Sequence, residues 1–198
     1  RNPVGVITKN SLVLRDLDIL KQLAAENLVS VAISVTTLNE DLRQFLEPRT
    51  ATVKQRLKTV ETLTANGVPV FVMLAPIIPG LNEHEIFSMA KAVADRGALG
   101  IGYSMVRLNG DVGQIFEDWL RKTMPDRADK VLNKIRSAHG GNLNDSRSGV
   151  RMRGEGKIAE IIRDQFRLAK EKYFAGRQMP KYNLELHEKH KSPQLKLF

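Results

Sequence analysis

The chain has 198 residues, of which 42% are hydrophobic, a net charge of +9 and no cysteine. This length predicts one large domain or a domain with an appendage, and the lack of cysteine excludes a disulfide framework and any thiolate metal site within these residues. No apolar run approaches the roughly 20 residues of a transmembrane helix and no signal-peptide pattern opens the chain, so we expect a cytoplasmic protein without membrane contact.

Strands and helices alternate four times over the first 105 residues. Short apolar runs predict strands over residues 4–8, 29–35, 68–74 and 98–105. Helical periodicity predicts a helix over 12–28, a second around Val53 to Leu63, and a third that runs from a capping box at Asn82 and Glu85 to about residue 94. The connections are too long for hairpins, which predicts a parallel sheet with right-handed crossovers.

Four such units do not close an eight-stranded barrel. Either the sheet is part of an open barrel, or the missing strands precede Arg1. The chain begins at Arg1 and enters a core strand within six residues, so we expect it to be a fragment, or a cleavage product, of a longer protein.

After Arg107 only helices are predicted, followed by a polar tail. We expect domains over 1–108 (α/β), 109–175 (helical) and 176–198 (basic tail). Residues 111–198 hold 19 Lys and Arg against 12 Asp and Glu, which is +7 of the net +9. This asymmetry is typical of nucleic-acid binding, although a solvated basic surface explains it as well.

Polar residues follow three of the predicted strands, where parallel sheets place their ligands. Lys9 offers a point charge for a carboxylate or phosphate, and Ser34 offers a hydroxyl. The third strand is expected to stop at Ala75-Pro76, and the segment from Ala75 to Gly80 forms a stiff apolar ledge suited to an aromatic ring. The plainer alternatives are a solvated lysine and a serine bonded to backbone.

Together these segments resemble the radical S-adenosylmethionine enzymes of the spore photoproduct lyase type. The resemblance covers residues 1–108, and the remainder is similar to the C-terminal extension of a bacterial branch of that group. It is carried by Val-Ile-Thr-Lys at 6–9, Val-Ala-Ile-Ser-Val at 31–35, Leu-Glu-Pro-Arg-Thr-Ala-Thr-Val-Lys-Gln-Arg-Leu at 46–57 and Met-Leu-Ala-Pro-Ile-Ile-Pro-Gly at 73–80.

The resemblance implies a partial parallel (βα) barrel, truncated here at its N-terminus, that binds S-adenosylmethionine and a [4Fe–4S] cluster. Lys9 and Ser34 would hold the methionyl carboxylate, and the ledge would lie against the adenine. The implied cofactor-binding residues are Lys9, Ser34, Ala75, Pro76, Ile77, Ile78 and Arg56, with Glu47 and Arg49 in the same Glu-Pro…Arg segment.

One departure from the family pattern concerns the cluster. The family binds it through Cys-x-x-x-Cys-x-x-Cys, and this chain has no cysteine. We therefore expect the cluster loop to precede Arg1, no metal ligands within the chain, and no activity from the chain alone.

The resemblance implies a radical enzyme acting on DNA or a DNA-associated substrate, with an external reductant for the cluster. Arg147, Arg151 and Arg153 are the candidate nucleic-acid contacts, unless they pair with acidic residues of the barrel. The alternative function is a non-catalytic basic module that binds nucleic acid or the bacterial sliding clamp.

The C-terminus carries the second motif. Gln-Leu-Lys-Leu-Phe resembles the pentapeptide by which bacterial repair and replication proteins bind the sliding clamp, with Gln194, Leu195, Leu197 and Phe198 as contact residues. The alternative is that Leu197 and Phe198 dock on the chain's own domain.

Overall fold

The computed structural model describes residues 2–189 and contains one four-stranded sheet. Its strands lie in chain order and every neighbouring pair is parallel. This arrangement confirms the predicted α/β fold with a parallel sheet. The strands are β1 (Val4–Thr8), β2 (Val29–Ser34), β3 (Val70–Ile77) and β4 (Gly100–Met105).

Helices connect the strands, and after β4 the residues that the structure describes form only helices and loops. A 3-10 turn over Ser11–Asp16 precedes the first helix. Within residues 2–189, no helix is long and apolar enough to cross a membrane. The helices are α1 (Leu17–Ala25), α2 (Glu40–Leu46), α3 (Val53–Ala65), α4 (Ile86–Ala94), α5 (Val112–Thr123), α6 (Pro125–Ala138), α7 (Gly156–Phe174) and α8 (Leu184–Lys189).

The main core lies between the sheet and the helices on one of its faces. Val31, Val72 and Leu63 are fully buried there, and α7 contributes Ile162 to the same cluster. A second cluster centred on Leu132 joins α5 and α6 to the loops that follow β3 and β4. The helical part therefore packs directly on the sheet, and the predicted boundary at residue 108 stays a prediction.

The opposite face of the sheet, here called the inner face, carries small residues. Gly5 pairs with Ser30 and Gly102 pairs with Met73 in the strand register. The ring of Phe71 lies across the glycines of β4, so that a β-carbon on Gly102 would stand 2.9 Å from Phe71 Cε1. Described helices do not cover this face, which leaves it open for a ligand.

The first part of the predicted tail returns to the sheet. The Arg177 guanidinium donates to two carbonyl groups around the α4–β4 turn, each at 2.8 Å. The Tyr182 hydroxyl lies 2.5 Å from Ser30 Oγ. Residues 177–183 thus form a strap across the N-terminal ends of the strands.

Two predicted boundaries are wrong. The helix expected over 12–28 begins with the 3-10 turn and becomes α-helical only at Leu17. Strand β3 does not stop at Ala75-Pro76 but continues to Ile77 through a cis peptide bond. Because Pro76 has no N–H to donate, the ladder with β4 shifts register between Leu74 and Ile77 instead of ending.

Replacing Gly102 by Ala should lower the free energy of unfolding by about 1–3 kcal/mol, because the new methyl group collides with Phe71 and Met73. Gly5→Ala is the matched control on the same face, since its β-carbon would meet only Tyr182 Oη at 3.6 Å. We expect that control to change stability by less than about 1 kcal/mol. Urea denaturation of both variants measures the difference, and equal losses would contradict the packing described.

Candidate functional site

The residues that follow strands β1 and β2 converge on one carboxylate, that of Glu47. Lys9, which follows β1, donates from Nζ to Glu47 Oε1. Thr36, which follows β2, donates from its hydroxyl to the same oxygen at 3.0 Å. Arg56 on α3 donates from Nη2 to Oε2 at 2.6 Å. The sequence segments around residues 9, 34 and 47–56 therefore meet in one polar cluster.

Arg56 is a buried structural support for this cluster. Its side chain is 1% exposed. Besides Glu47, the guanidinium donates to Ala51 O at 3.0 Å, to Ser34 O at 3.1 Å and to the Thr50 hydroxyl. Since these bonds engage Nε and both terminal nitrogens, Arg56 positions Glu47 in the structure, and direct contact of Arg56 with a cofactor stays a prediction.

The cluster carries more positive than negative charge. Burial raises the pKa of Glu47, but the hydrogen bonds from Lys9 and Arg56 outweigh this effect and hold its pKa below the usual value. Two cations therefore face one ionised carboxylate. The Lys9 side chain is 38% exposed and that of Glu47 only 10%. The ammonium group is thus the part that a ligand can reach, and the excess charge favours an anion.

Ser34 lies beside this pair on the inner face. Its register partner is Met73 on β3, and the residue is 7% exposed. Arg56 donates its hydrogen bond to the carbonyl oxygen of Ser34 and not to the side chain. Within residues 2–189 the Ser34 hydroxyl therefore has no hydrogen-bond partner. The hydroxyl can therefore donate to a ligand held by Lys9.

The apolar ledge is smaller than predicted. Ala75 and Pro76 are half-buried and offer a surface at the end of β3. Ile77 and Ile78 are 0% and 1% exposed, and their side chains belong to the two separate cores. These two side chains therefore add no exposed apolar surface to the predicted ledge. Their assignment to the cofactor site stays a prediction.

Asn82 does not cap a helix as the sequence pattern predicted. It is fully buried and makes no side-chain capping bond. Its Nδ2 donates to Thr36 O at 2.8 Å and to Pro76 O at 2.9 Å, and its Oδ1 accepts from Ile78 N at 2.6 Å. The Asn82 amide therefore ties the loop after β2 to the C-terminal end of β3 and to the first residue of the loop that follows it.

Glu85, the other half of the predicted capping box, supports the same pair of loops. Its carboxylate accepts from the Thr37 hydroxyl at 2.8 Å and from Leu38 N at 2.5 Å. The i, i+3 spacing of Asn82 and Glu85 is present, but tertiary partners have replaced the local ones.

Arg147 is paired within its own loop. Its guanidinium donates to Asp145 Oδ2 at 2.7 Å and to Glu155 Oε1 at 2.6 Å. The hydrogen bonds from Arg147 lower the pKa of Asp145 to about 2. Arg147 therefore pairs with acidic residues, which is the alternative to nucleic-acid contact. The acidic residues belong to this loop and not to the barrel.

Arg151 and Arg153 are exposed and have no acidic partner within residues 2–189. They flank Met152, whose carbonyl accepts from Met105 N at the end of β4 at 2.9 Å. The Met152 sulfur lies 3.7 Å from Nη1 of Arg107, which is also exposed. These three side chains form an arginine surface (Arg107, Arg151 and Arg153) at the same end of the sheet as Lys9. Sequence reasoning missed Arg107, whose only signal was its position after a strand.

The two implied cofactor groups fit this chain differently. S-adenosylmethionine carries a carboxylate and an aromatic base, which match Lys9, the free Ser34 hydroxyl and the half-buried Ala75-Pro76 surface. An iron–sulfur cluster does not fit, because its thiolate ligands are missing from a chain without cysteine. The part of the chain that the structure describes also holds no group of three His, Asp or Glu side chains able to bind a metal ion. Gln194, Leu195, Leu197 and Phe198 lie outside the described residues.

Sequence comparisons identify relatives over part of the chain. The model of the Radical SAM superfamily matches residues 2–93. An uncharacterised protein of Mycobacterium tuberculosis H37Rv is 29% identical over 126 residues, which cover 63% of this chain and 37% of that protein. The antilisterial bacteriocin subtilosin biosynthesis protein AlbA of Bacillus subtilis is 30% identical over 104 residues, covering 52% and 22%. The chain thus spans less than half of these relatives.

Solved structures of spore photoproduct lyase share the fold. They superpose with a TM-score of 0.63 at 18% identity, over 88% of this chain and 49% of the lyase. One of them is complexed with dinucleoside spore photoproduct, and another has bound AdoMet as well. At this identity the likeness establishes the fold alone, a partial parallel (βα) barrel with a helical C-terminal part.

Acid should remove the stability that Glu47 contributes. Because the folded-state pKa of Glu47 is lowered from its ordinary value of 4.5, its stabilising effect is complete above that value and is lost as the pH falls through the folded-state pKa. We expect Glu47→Gln to be less stable than wild type at neutral pH, and the gap to narrow below pH 4.5.

Urea denaturation over a pH series measures this gap. The control is Glu61→Gln, which removes a carboxylate from an exposed i, i+3 pair with Lys58 on α3 and should change stability little. A gap between Glu47→Gln and wild type that is independent of pH would contradict the assigned role of the Glu47 charge.

Proposed function

We propose, from the match of the Radical SAM superfamily model to residues 2–93, that the chain is the C-terminal portion of a radical enzyme that binds S-adenosylmethionine at its strand ends. The observation that carries this proposal is the cluster of Lys9, Glu47 and Ser34 beside the Ala75-Pro76 surface. A cation, a free hydroxyl and an apolar wall at one edge of a parallel sheet match the parts of that cofactor.

Each side chain has a distinct role in the proposed site. The Lys9 ammonium pairs with the methionyl carboxylate, and the Ser34 hydroxyl donates a hydrogen bond to it. Glu47 holds the ammonium at the strand ends, and Arg56 holds Glu47. Ala75 and Pro76 exclude water from one face of the adenine. When bound, S-adenosylmethionine supplies the radical that removes hydrogen from a substrate.

The chemistry requires groups that lie outside these 198 residues. Cluster ligation needs thiolates, and the chain has none, so we place the cluster loop in a preceding segment and assign its electron to an external reductant. On this proposal the chain alone binds cofactor without converting it. The fold that this chain shares with spore photoproduct lyase supports the proposed assignment to a lyase or repair-like enzyme.

The substrate is proposed to be DNA or a DNA-associated molecule. The arginine surface supports this part of the proposal, because three exposed guanidinium groups without an acidic partner among residues 2–189 lie at the end of the sheet that also holds Lys9. The excess of +7 in residues 111–198 adds a long-range attraction for phosphate. Binding of the sliding clamp through residues 194–198 stays a prediction from the sequence motif.

Cofactor binding is tested on the chain with S-adenosylmethionine titrated by NMR. Lys9→Met should weaken binding by about 10- to 100-fold, because a charge-assisted hydrogen bond is lost. Ser34→Ala should weaken it by about 2- to 10-fold. Lys21→Met, which removes an exposed charge on α1, is the control and should bind as wild type does. Equal affinity of Lys9→Met and Lys21→Met would favour the alternative of a non-catalytic basic module.

DNA binding is tested by its dependence on salt concentration. Each phosphate contact contributes about 0.9 to the slope of log K against log salt on duplex DNA, so Arg151→Gln/Arg153→Gln should lower the slope by about 2. Lys54→Gln/Lys58→Gln removes the same net charge from the exposed side of α3 and serves as control. The same loss in both double variants would show that only the net charge matters and would contradict a specific surface.

A further inference from the structure

Asn82, in the loop after β3, joins two segments that carry opposite halves of the proposed site. The loop after β2 holds Thr36, and the C-terminal end of β3 holds Pro76. The Nδ2 group of Asn82 donates to the carbonyls of both residues, at 2.8 and 2.9 Å. The remaining described hydrogen bond of this buried amide comes from Ile78 N, just after β3, and none of its described bonds supports the helix that follows it.

Thr36 connects this amide to the charged pair. Its carbonyl accepts from Asn82, while its hydroxyl lies within bonding distance of Glu47 Oε1 at 3.0 Å and of Ala75 O at 3.1 Å. Glu47 in turn accepts from the Lys9 ammonium. A continuous path of hydrogen bonds therefore runs from Asn82 through Thr36 and Glu47 to Lys9.

The apolar half of the site has other supports. Ile77 and Ile78, next to Pro76, are fully buried in the two cores. The carbonyl of Ile77 also accepts from Val106 N at 2.9 Å, which fixes it to the segment after β4. Loss of the Asn82 amide should therefore leave the Ala75-Pro76 wall in place and disturb mainly the Lys9 half.

We propose that Asn82 is a positioning residue that sets the Lys9 ammonium for binding of a ligand carboxylate, acting through Thr36 and Glu47. This inference rests on the proposed function, because the ligand is the cofactor assigned to Lys9 and Ser34. Asn82 itself does not touch the ligand. Its effect is confined to the amino-acid end of the ligand and is absent at the adenosine end.

Two ligands distinguish contacts to the amino-acid end from contacts to the adenosine end of the cofactor. S-adenosylhomocysteine carries both the carboxylate and the adenosine, whereas 5′-methylthioadenosine lacks the amino-acid portion. The ratio of their affinities, measured by NMR titration of the chain, reports the carboxylate contacts alone. Partial unfolding of a variant lowers both affinities by the same factor, so the ratio does not change with stability.

Asn82→Ala should lower this ratio about tenfold, the loss of one charge-assisted hydrogen bond. Thr36→Val keeps the shape of its side chain but removes the hydroxyl, and should lower the ratio to a similar extent. The double variant should be no worse than either single variant, because both changes cut one path. Val60→Ala removes volume from the core on α3 and is the control that loses stability without changing the ratio.

The experiment distinguishes failure of the positioning role of Asn82 from failure of the proposed function. If wild type binds both ligands and Lys9→Met lowers the ratio but Asn82→Ala and Thr36→Val do not, the positioning role is overturned and the proposed function stands. Additive losses in the double variant also overturn it. If wild type binds neither ligand, or Lys9→Met leaves the ratio unchanged, the assignment of Lys9 fails and this inference fails with it. Should Asn82→Ala not fold, Thr36→Val alone decides by the same ratio.

Discussion

The buried ion pair between Arg56 and Glu47 is the interaction on which the site depends. Arg56 reaches from α3 to the carbonyl of Ser34 at the end of β2, and through Glu47 it holds Lys9 at the end of β1. Desolvation makes such pairs poor sources of stability, and apolar replacements are often neutral or stabilising. We therefore interpret the pair as a means of fixing charge at the strand ends. Its cost to the free energy of folding is measured relative to an apolar pair in the same place.

The one-sided packing of the sheet determines how that charge is used. Helices cover the outer face with a continuous apolar core, while the inner face keeps small residues such as Gly5 and Ala32. The strap at residues 177–183 crosses the opposite end of the sheet, where it borders an open pocket of about 350 Å³ beside Ala32 and Phe71. A ligand held by Lys9 thus meets polar groups at the strand ends and apolar walls farther down the inner face.

Most of the fold follows from periodicity in the sequence, and most of the site does not. Strand β1 and the parallel order could be predicted because apolar runs and helical repeats are local signals. The bonds of Asn82 could not, since a capping box and a clamp between loops have the same spacing, and only tertiary contacts select between them. Arg147 and Arg151 have the same side chain in the same loop, but Asp145 pairs with Arg147, whereas Arg151 has no acidic partner in the described part of the chain. Lys9 and Ser34 could be proposed because strand ends converge in any parallel sheet, and their role in cofactor binding stays a prediction.

The same geometry separates what this chain contributes from what it must receive. In the proposed enzyme its side chains would supply a cation for a carboxylate, a wall for a base and an exposed arginine surface, all of which act by position and charge. None of its 198 residues is a thiolate that could hold the cluster. Binding and electron supply are therefore divided between different parts of the proposed enzyme. Because the Lys9–Glu47 pair is built entirely from residues of this chain, cofactor affinity can be measured in the chain separately from the redox chemistry.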